Sequence, residues 1–384
     1  MLEKLREEFE SKYCVEIATT KGIEEISSKI GISKNTLRRF LGKIKSNTQL
    51  SEVSLNLISN YLGYNNYKDF TEFDSKNDSL DIFTLELFYD SIKNKGVVFN
   101  EKRFQDVNRQ FAEKIILNER NLNQFLKVFS NNNEALEYVL AWYPTYGKIC
   151  QIDYQNILKK YASKSNISHI KVFANSFLFF GKLLSNNLVK EDSKFIEKLE
   201  KEVQKMRKEY HFYWAFPEVR FVIAKTFYLY KFQPNELKNF IKESIQEFEE
   251  KSTTIHERTI YSSYYANALN LIGEFEIANE LQSKYIDMDF LSSKDYYHSY
   301  AQLPFYQVSR AITLLNIGKT EEAEEIYNDF KKLNLNELPF DIRDYVEIQF
   351  YILAYHLNKK DEIYLKKIQE IIAKTNFQFF NSLL

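Results

Sequence analysis

Residues 23–42 read IEEISSKIGISKNTLRRFLG, and their apolar positions fall in two helical registers with a glycine between them. Ile23, Ile26 and Ile30, at i, i+3 and i+7, make one face of a first helix. Gly31 stands where the chain must turn sharply, Ile32 can plug the angle, and Ser33 suits the N-cap of a second helix. In that second helix Leu37, Phe40 and Leu41 share the buried side. Upstream, Leu2, Leu5 and Phe9 stripe another helix. Downstream, Ser51 can cap a helix carrying Leu55, Ile58 and Leu62 on one face, Gly63 ends it, and Tyr64, Tyr67 and Phe70 close the group. These spacings predict a four- or five-helix unit over residues 1–73. The polar, acidic DSKNDSLD of 74–81 predicts a linker.

From residue 82 to 384 the pattern predicts helix after helix, with early members near 83–93, 102–118, 122–130 and 135–142 and Pro144 closing that group. The chain has only 9 Gly and 5 Pro, and few windows alternate with period two, so an all-α protein is expected. A faint repeat runs through the second half. Ala266, Leu269, Gly273 and Ala278 recur at the same offsets as Ala311, Leu314, Gly318 and Ala323, and weaker copies start at Ala174 (with Phe177 and Gly181) and Ala224 (with Phe227). The small residues let paired helices approach, the glycine turns the chain, and the later alanine packs the second helix back. This pattern resembles the tetratricopeptide repeat, although its spacing is longer. The resemblance implies an irregular tetratricopeptide-like α-solenoid with a concave groove for a peptide or protein.

Composition narrows the class. Hydrophobic residues make up 44% of the chain, enough for a core, and the net charge of −1 alone suggests no polyanionic partner. Charge is uneven, however. Residues 26–51 hold Lys29, Lys34, Arg38, Arg39, Lys43 and Lys45 and no acid. The two cysteines, Cys14 and Cys150, form no metal-ligand spacing, so a reducing compartment is expected. The N-terminus has no apolar h-region, so no signal peptide is expected, and apolar runs such as 176–184 are too short to span a bilayer. A cytoplasmic protein without membrane contact follows as the expectation.

The basic surface of the second helix has no packing rationale and reads as a DNA-recognition face. Lys34, Asn35 and Arg38 would reach base edges, where Arg to guanine and Asn to adenine are each worth ~1–3 kcal/mol of discrimination. Arg39, Lys43 and Lys45 would hold phosphates, which fixes register. With Ser33 at the helix start, these seven are the DNA-binding candidates. Ser27, four places before Gly31, and the inward Leu37 and Phe40 resemble the helix-turn-helix of Cro-type and LacI-type repressors. KSNTQLSEVSLNLISNYLG fits a Cro-like domain better than a hinge. TLRRF followed by YLGYNNYKDF is also similar to the N-terminus of a widespread bacterial family without known ligand or operator.

Joined to the repeat, this domain resembles the architecture of pheromone-responsive regulators. That resemblance implies a transcriptional regulator whose C-terminal part dimerises and senses a partner. One recognition helix buries too little for a tight site, so a homodimer on a two-fold operator is expected. The alternative is an interaction scaffold whose N-terminal unit is a second docking surface. Groove candidates are Asn175 and Asn267, each after the small residue of a repeat helix, and the tyrosines Tyr261 and Tyr264, with Tyr265 beside them. Most of the 32 Phe and 27 Tyr are expected in the core. The five histidines are scattered, and no phosphate loop, nucleophile elbow or HExxH is present, so no enzyme, metal or cofactor is expected. TTIHERT, around His256 and Glu257, reads as a helix start.

Overall fold

The computed structural model describes residues 2–13, 16–44, 50–76, 81–95, 102–210, 213–292, 297–335, 338–358 and 361–384, and these contain helices and no strand. They divide into two compact units, Met1–Asp81 and Ile82–Leu384. No helix among the described residues is long and apolar enough to cross a membrane.

The first unit follows its apolar stripes. Helices α1 (Leu2–Lys12), α2 (Thr20–Ile30), α3 (Lys34–Phe40), α4 (Glu52–Leu62) and α5 (Tyr67–Lys76) close around Leu5, Phe9, Ile23, Ile26, Ile30, Leu37, Phe40, Leu41, Ile58, Leu62 and Phe70. Phe9 meets Phe40 edge-on at 5.4 Å, and Tyr64 meets Phe70 at 5.2 Å. The expected caps form: Ser51 accepts from the Ser54 amide, and Gly63 takes φ +108. Helix α5 continues through Asp74 to Lys76, so the first residues of the expected linker are helical, and 77–80 lie outside the described residues.

The second unit contains α6 (Ile82–Lys95), α7 (Lys102–Ile116), α8 (Glu119–Val128), the short α9 (Asn133–Leu136) with a π-turn over Glu137–Ala141, α10 (Ile152–Lys164), α11 (Ser168–Leu184), α12 (Ser193–Glu209), α13 (Ala215–Phe232), α14 (Pro234–Lys251), α15 (Ile255–Leu271), α16 (Phe275–Tyr285), α17 (Met288–Ser292), α18 (Tyr297–Asn316), α19 (Thr320–Phe330), α20 (Arg343–Leu357) and α21 (Glu362–Thr375). Sequence sorts them into two layers. Helix α12 buries one stripe, Ile196, Leu199, Val203 and Met206, and turns its Lys and Glu outward. Helix α14 does the same with Leu237, Ile241 and Phe248. By contrast α11, α13 and α15 are buried nearly all round, as a helix covered on both sides must be. The inner helices α11, α13, α15, α18 and α20 pack in succession, and outer helices cover them.

The two strong repeat copies become the hairpins α15–α16 and α18–α19. Gly273 and Gly318 each turn the chain at φ +83, and Ala266, Ala278, Ala311 and Ala323 are fully buried between paired helices. The copy at Ala174 differs. Gly181 lies inside α11 and makes no turn; a Cβ there would stand 2.3 Å from the Ile149 carbonyl oxygen. That glycine permits close approach of the chain.

The end of this unit folds back onto its beginning. The Tyr146 amide donates to the Asp341 carbonyl at 2.8 Å, and the Tyr146 ring stacks on Tyr345 of α20 at 4.8 Å. Tyr345 also meets Phe180 and Phe380. The turn Gln378–Leu383 packs on α11.

Candidate nucleic-acid interface and an aromatic cavity

The basic face is carried by the turn between α2 and α3. Gly31, at φ +81, and Ile32 both donate to the Ser27 carbonyl at 3.0 Å, which satisfies the end of α2 and sets the entry to α3. Ser33 then caps α3, its Oγ accepting from the Thr36 amide at 3.0 Å and meeting the Thr36 hydroxyl at 2.8 Å. The Ser33 oxygen is therefore already bonded within the helix. Leu37 and Phe40 are fully buried, which fixes the rotation of α3 and leaves Asn35 exposed and Arg38 and Arg39 half-exposed.

The cations differ in what holds them. Lys34 pairs with Glu24 at 2.8 Å, and the Lys34 hydrogen bond followed by its charge lowers the Glu24 carboxyl below its ordinary value. This pair is at the surface, where such bonds exchange readily with another anion. Arg39 donates weakly to Thr36 Oγ1 at 3.4 Å. Lys43 donates to the Ile17 carbonyl, which ties it to the short turn Glu16–Ala18. The Asn35 and Arg38 side chains make no hydrogen bond or ion pair with the described residues. Lys45 and Cys14 lie outside the described residues.

The groove candidates are placed otherwise than expected. Tyr261 is fully buried, stacked on Phe248 at 4.1 Å and donating to the Ser244 carbonyl. Asn267 is 2% exposed; its Oδ1 accepts from the Tyr345 hydroxyl at 2.9 Å and its amide donates to Gln349 at 2.6 Å. The side of α15 expected to face an open groove is thus covered by α20. Asn175 and Tyr265 are buried as well. Tyr264 is the groove candidate that meets open space, because it lines a cavity of about 410 Å³.

That cavity lies among inner helices and the segment after the π-turn, within the usual range for small-molecule sites. Its walls are aromatic: Trp142 stacks on Phe216 at 6.2 Å, Phe216 meets Tyr264 at 5.3 Å, and Tyr264 meets Phe305 at 5.2 Å. Arg220, 6% exposed, sits among them. Its guanidinium carbon is 4.3 Å from the Tyr264 ring centre, 4.7 Å from Phe177 and 4.9 Å from Phe216, and its NH1 donates to the Tyr146 hydroxyl at 2.6 Å. Burial pushes the Tyr146 and Tyr264 phenols above their ordinary range despite the adjacent cation, so both stay neutral donors.

Other polar groups reach the same space. Gln302 Oε1 and Asp341 Oδ1 are sealed from solvent with no hydrogen-bond partner. Glu137 is held by His169 at 2.8 Å, and Glu257 forms a capping box with Thr254, the helix start read from TTIHERT. Beside it, burial lowers the His256 pKa from its ordinary value. No cluster of three or more His, Cys, Asp or Glu among the described residues could hold a metal ion. Sequence reasoning missed this cavity, although one signal was legible: AFPEVRFVIA places Arg220 in an otherwise apolar helix face. Compared with family models, curated proteins and solved structures, the chain matches none.

Proposed function

We propose that this chain is a sequence-specific DNA-binding regulator, reading DNA with the α2–α3 helix-turn-helix. The unit Ile82–Leu384, which we read as an irregular tetratricopeptide-like solenoid curled on itself, serves as sensor or dimerisation body. The observation that carries the reading is the outward face of α3: Asn35 and Arg38 are unengaged among the described residues, and no acid interrupts residues 26–51. Asn35 and Arg38 are then the base-reading pair, with Lys34 released from Glu24 to join them, and Arg39 on phosphate. A homodimer on a two-fold site supplies the area that one helix lacks.

A salt titration of full-length protein on random duplex DNA tests this. If four cations neutralise phosphates, affinity falls roughly hundredfold between about 50 and 200 mM salt. The double variant Arg38→Ala/Arg39→Ala flattens the slope. Salt-independent or absent binding of the unaltered chain sinks the proposal. The competing reading is a docking scaffold, favoured by Lys43 being spent on Ile17 and Lys34 on Glu24; it expects no DNA binding at any salt.

A further inference from the structure

We infer that the cavity is a binding site for a small aromatic or apolar carboxylate bearing an N–H or O–H donor, with Arg220 taking the carboxylate. This does not rest on the DNA-binding reading. A guanidinium this buried ordinarily has a carboxylate beside it, because desolvating a lone cation is expensive. Arg220 has none among the described residues: its NH1 donates to the Tyr146 phenol, its Nε has no partner, and aromatic faces supply the rest of its surroundings. Ring quadrupoles offset part of the cost without neutralising the charge. Of the three cavity carboxylates, Glu137 is bonded to His169, Glu257 to Thr254, and Asp341 forms no ion pair with Arg220 among the described residues.

The remaining polarity sets the rest of the ligand. Gln302 Oε1 and Asp341 Oδ1 are buried acceptors in want of a donor, so a pure hydrocarbon acid satisfies half of the site. Aromatic walls of Trp142, Phe216 and Phe305, with Trp142 stacked on Phe216, favour a flat body. A phosphate ester fits poorly: it brings two charges to one guanidinium in a space that three carboxylates also line. An extended peptide is too long for about 410 Å³.

Trp142 and Trp214, the two tryptophans of the chain, both line the cavity, so intrinsic fluorescence of the full-length protein reports on its occupancy. The probes are 4-hydroxyphenylacetate, its neutral amide, and 3-phenylpropionate, which lacks the donor. Excitation at the red edge of tryptophan absorption keeps the phenol dark. We expect a saturable response to 4-hydroxyphenylacetate, and affinities at least about tenfold weaker for the amide and weaker for 3-phenylpropionate. Arg220→Met should abolish the preference for acid over amide, and Gln302→Leu, which keeps the cation, should abolish the advantage of the hydroxyl. Acid and amide binding equally, or no response to either acid at millimolar concentration, overturns the inference. So does an acid preference that persists in Arg220→Met. Should Arg220→Met fail to fold, the acid–amide comparison in the unaltered chain and in Gln302→Leu still decides.

Discussion

Asp341 holds two roles, one in its backbone and one in its carboxyl. Its backbone carbonyl receives Tyr146, while burial pushes its carboxyl up to about 6, against the opposing pull of its own and the Ile342 backbone amides and of Arg109. Because the folded value lies above the unfolded one, folding takes up a proton between about pH 4 and pH 6. The group costs nothing below that window, and above it the full penalty, at most roughly 3 kcal/mol, is present. Asp341→Asn is therefore expected to remove this fall in stability as pH rises, measured by urea denaturation across the window. Glycine substitutions separate strain from clash at the same scale. At Gly31 an added Cβ meets nothing within 4 Å, so Gly31→Ala costs only the left-handed backbone, about 1–2 kcal/mol. At Gly181 the Cβ strikes the Ile149 backbone, which cannot swing aside. Thermal unfolding should rank Gly181→Ala as the more damaging of the two.

Between elements, one ion pair carries three helices. Arg207 of α12 forms a bidentate bond to Glu218 of α13, 2.7 Å at both oxygens, and reaches Glu247 of α14 at 2.9 Å. Glu218 has a side-chain exposure of only 2%. Arg207→Ala leaves that carboxylate buried without its partner and should cost about 3–5 kcal/mol, whereas Arg207→Met with Glu218→Leu should cost much less. Chemical denaturation of both variants checks this. How much could be read from sequence also divides by element. Helices with one stripe, such as α2 and α4, were legible because periodicity encodes which side is buried. The turn at Gly31 and cap at Ser33 were legible because few residues serve there. Helices α11, α13 and α15 are buried nearly all round, and such a pattern says that a helix is covered without saying by what. The contact of Asn267 with Tyr345 was hidden for that reason, and with it the filling of the expected groove. The cavity was hidden because its walls come from segments far apart in sequence, and Arg220 alone marked it.

At the scale of the whole second unit, Tyr146 and Tyr345 decide how it unfolds. A stack of repeats in contact only with its neighbours frays from its ends. Here the segments leading into the first and last inner helices are hydrogen-bonded to each other, and Phe180 of α11 meets Tyr345 of α20, so Ile82–Leu384 is expected to unfold in one transition. Phe380, fully buried against Tyr345 and Phe377, is a remote test. Phe380→Ala should cost about 3–5 kcal/mol and lower the unfolding midpoint seen by tryptophan fluorescence as much as that seen by circular dichroism. Separate midpoints would mean that the closure does not couple the ends.

That bond between distant segments also sets an order in time. A ribosome releases Tyr146, Phe177 and Phe180 long before it has added Tyr345 and Phe380. Until then α11 and α13 carry aromatic surface on a side whose partners have not been translated, and such surface aggregates. Outer helices made in the interval, α12 and α14, can cover only one side. The nascent chain must therefore wait with its inner helices half-dressed, and a chaperone able to shield aromatic surface during that wait should raise the yield of folded protein.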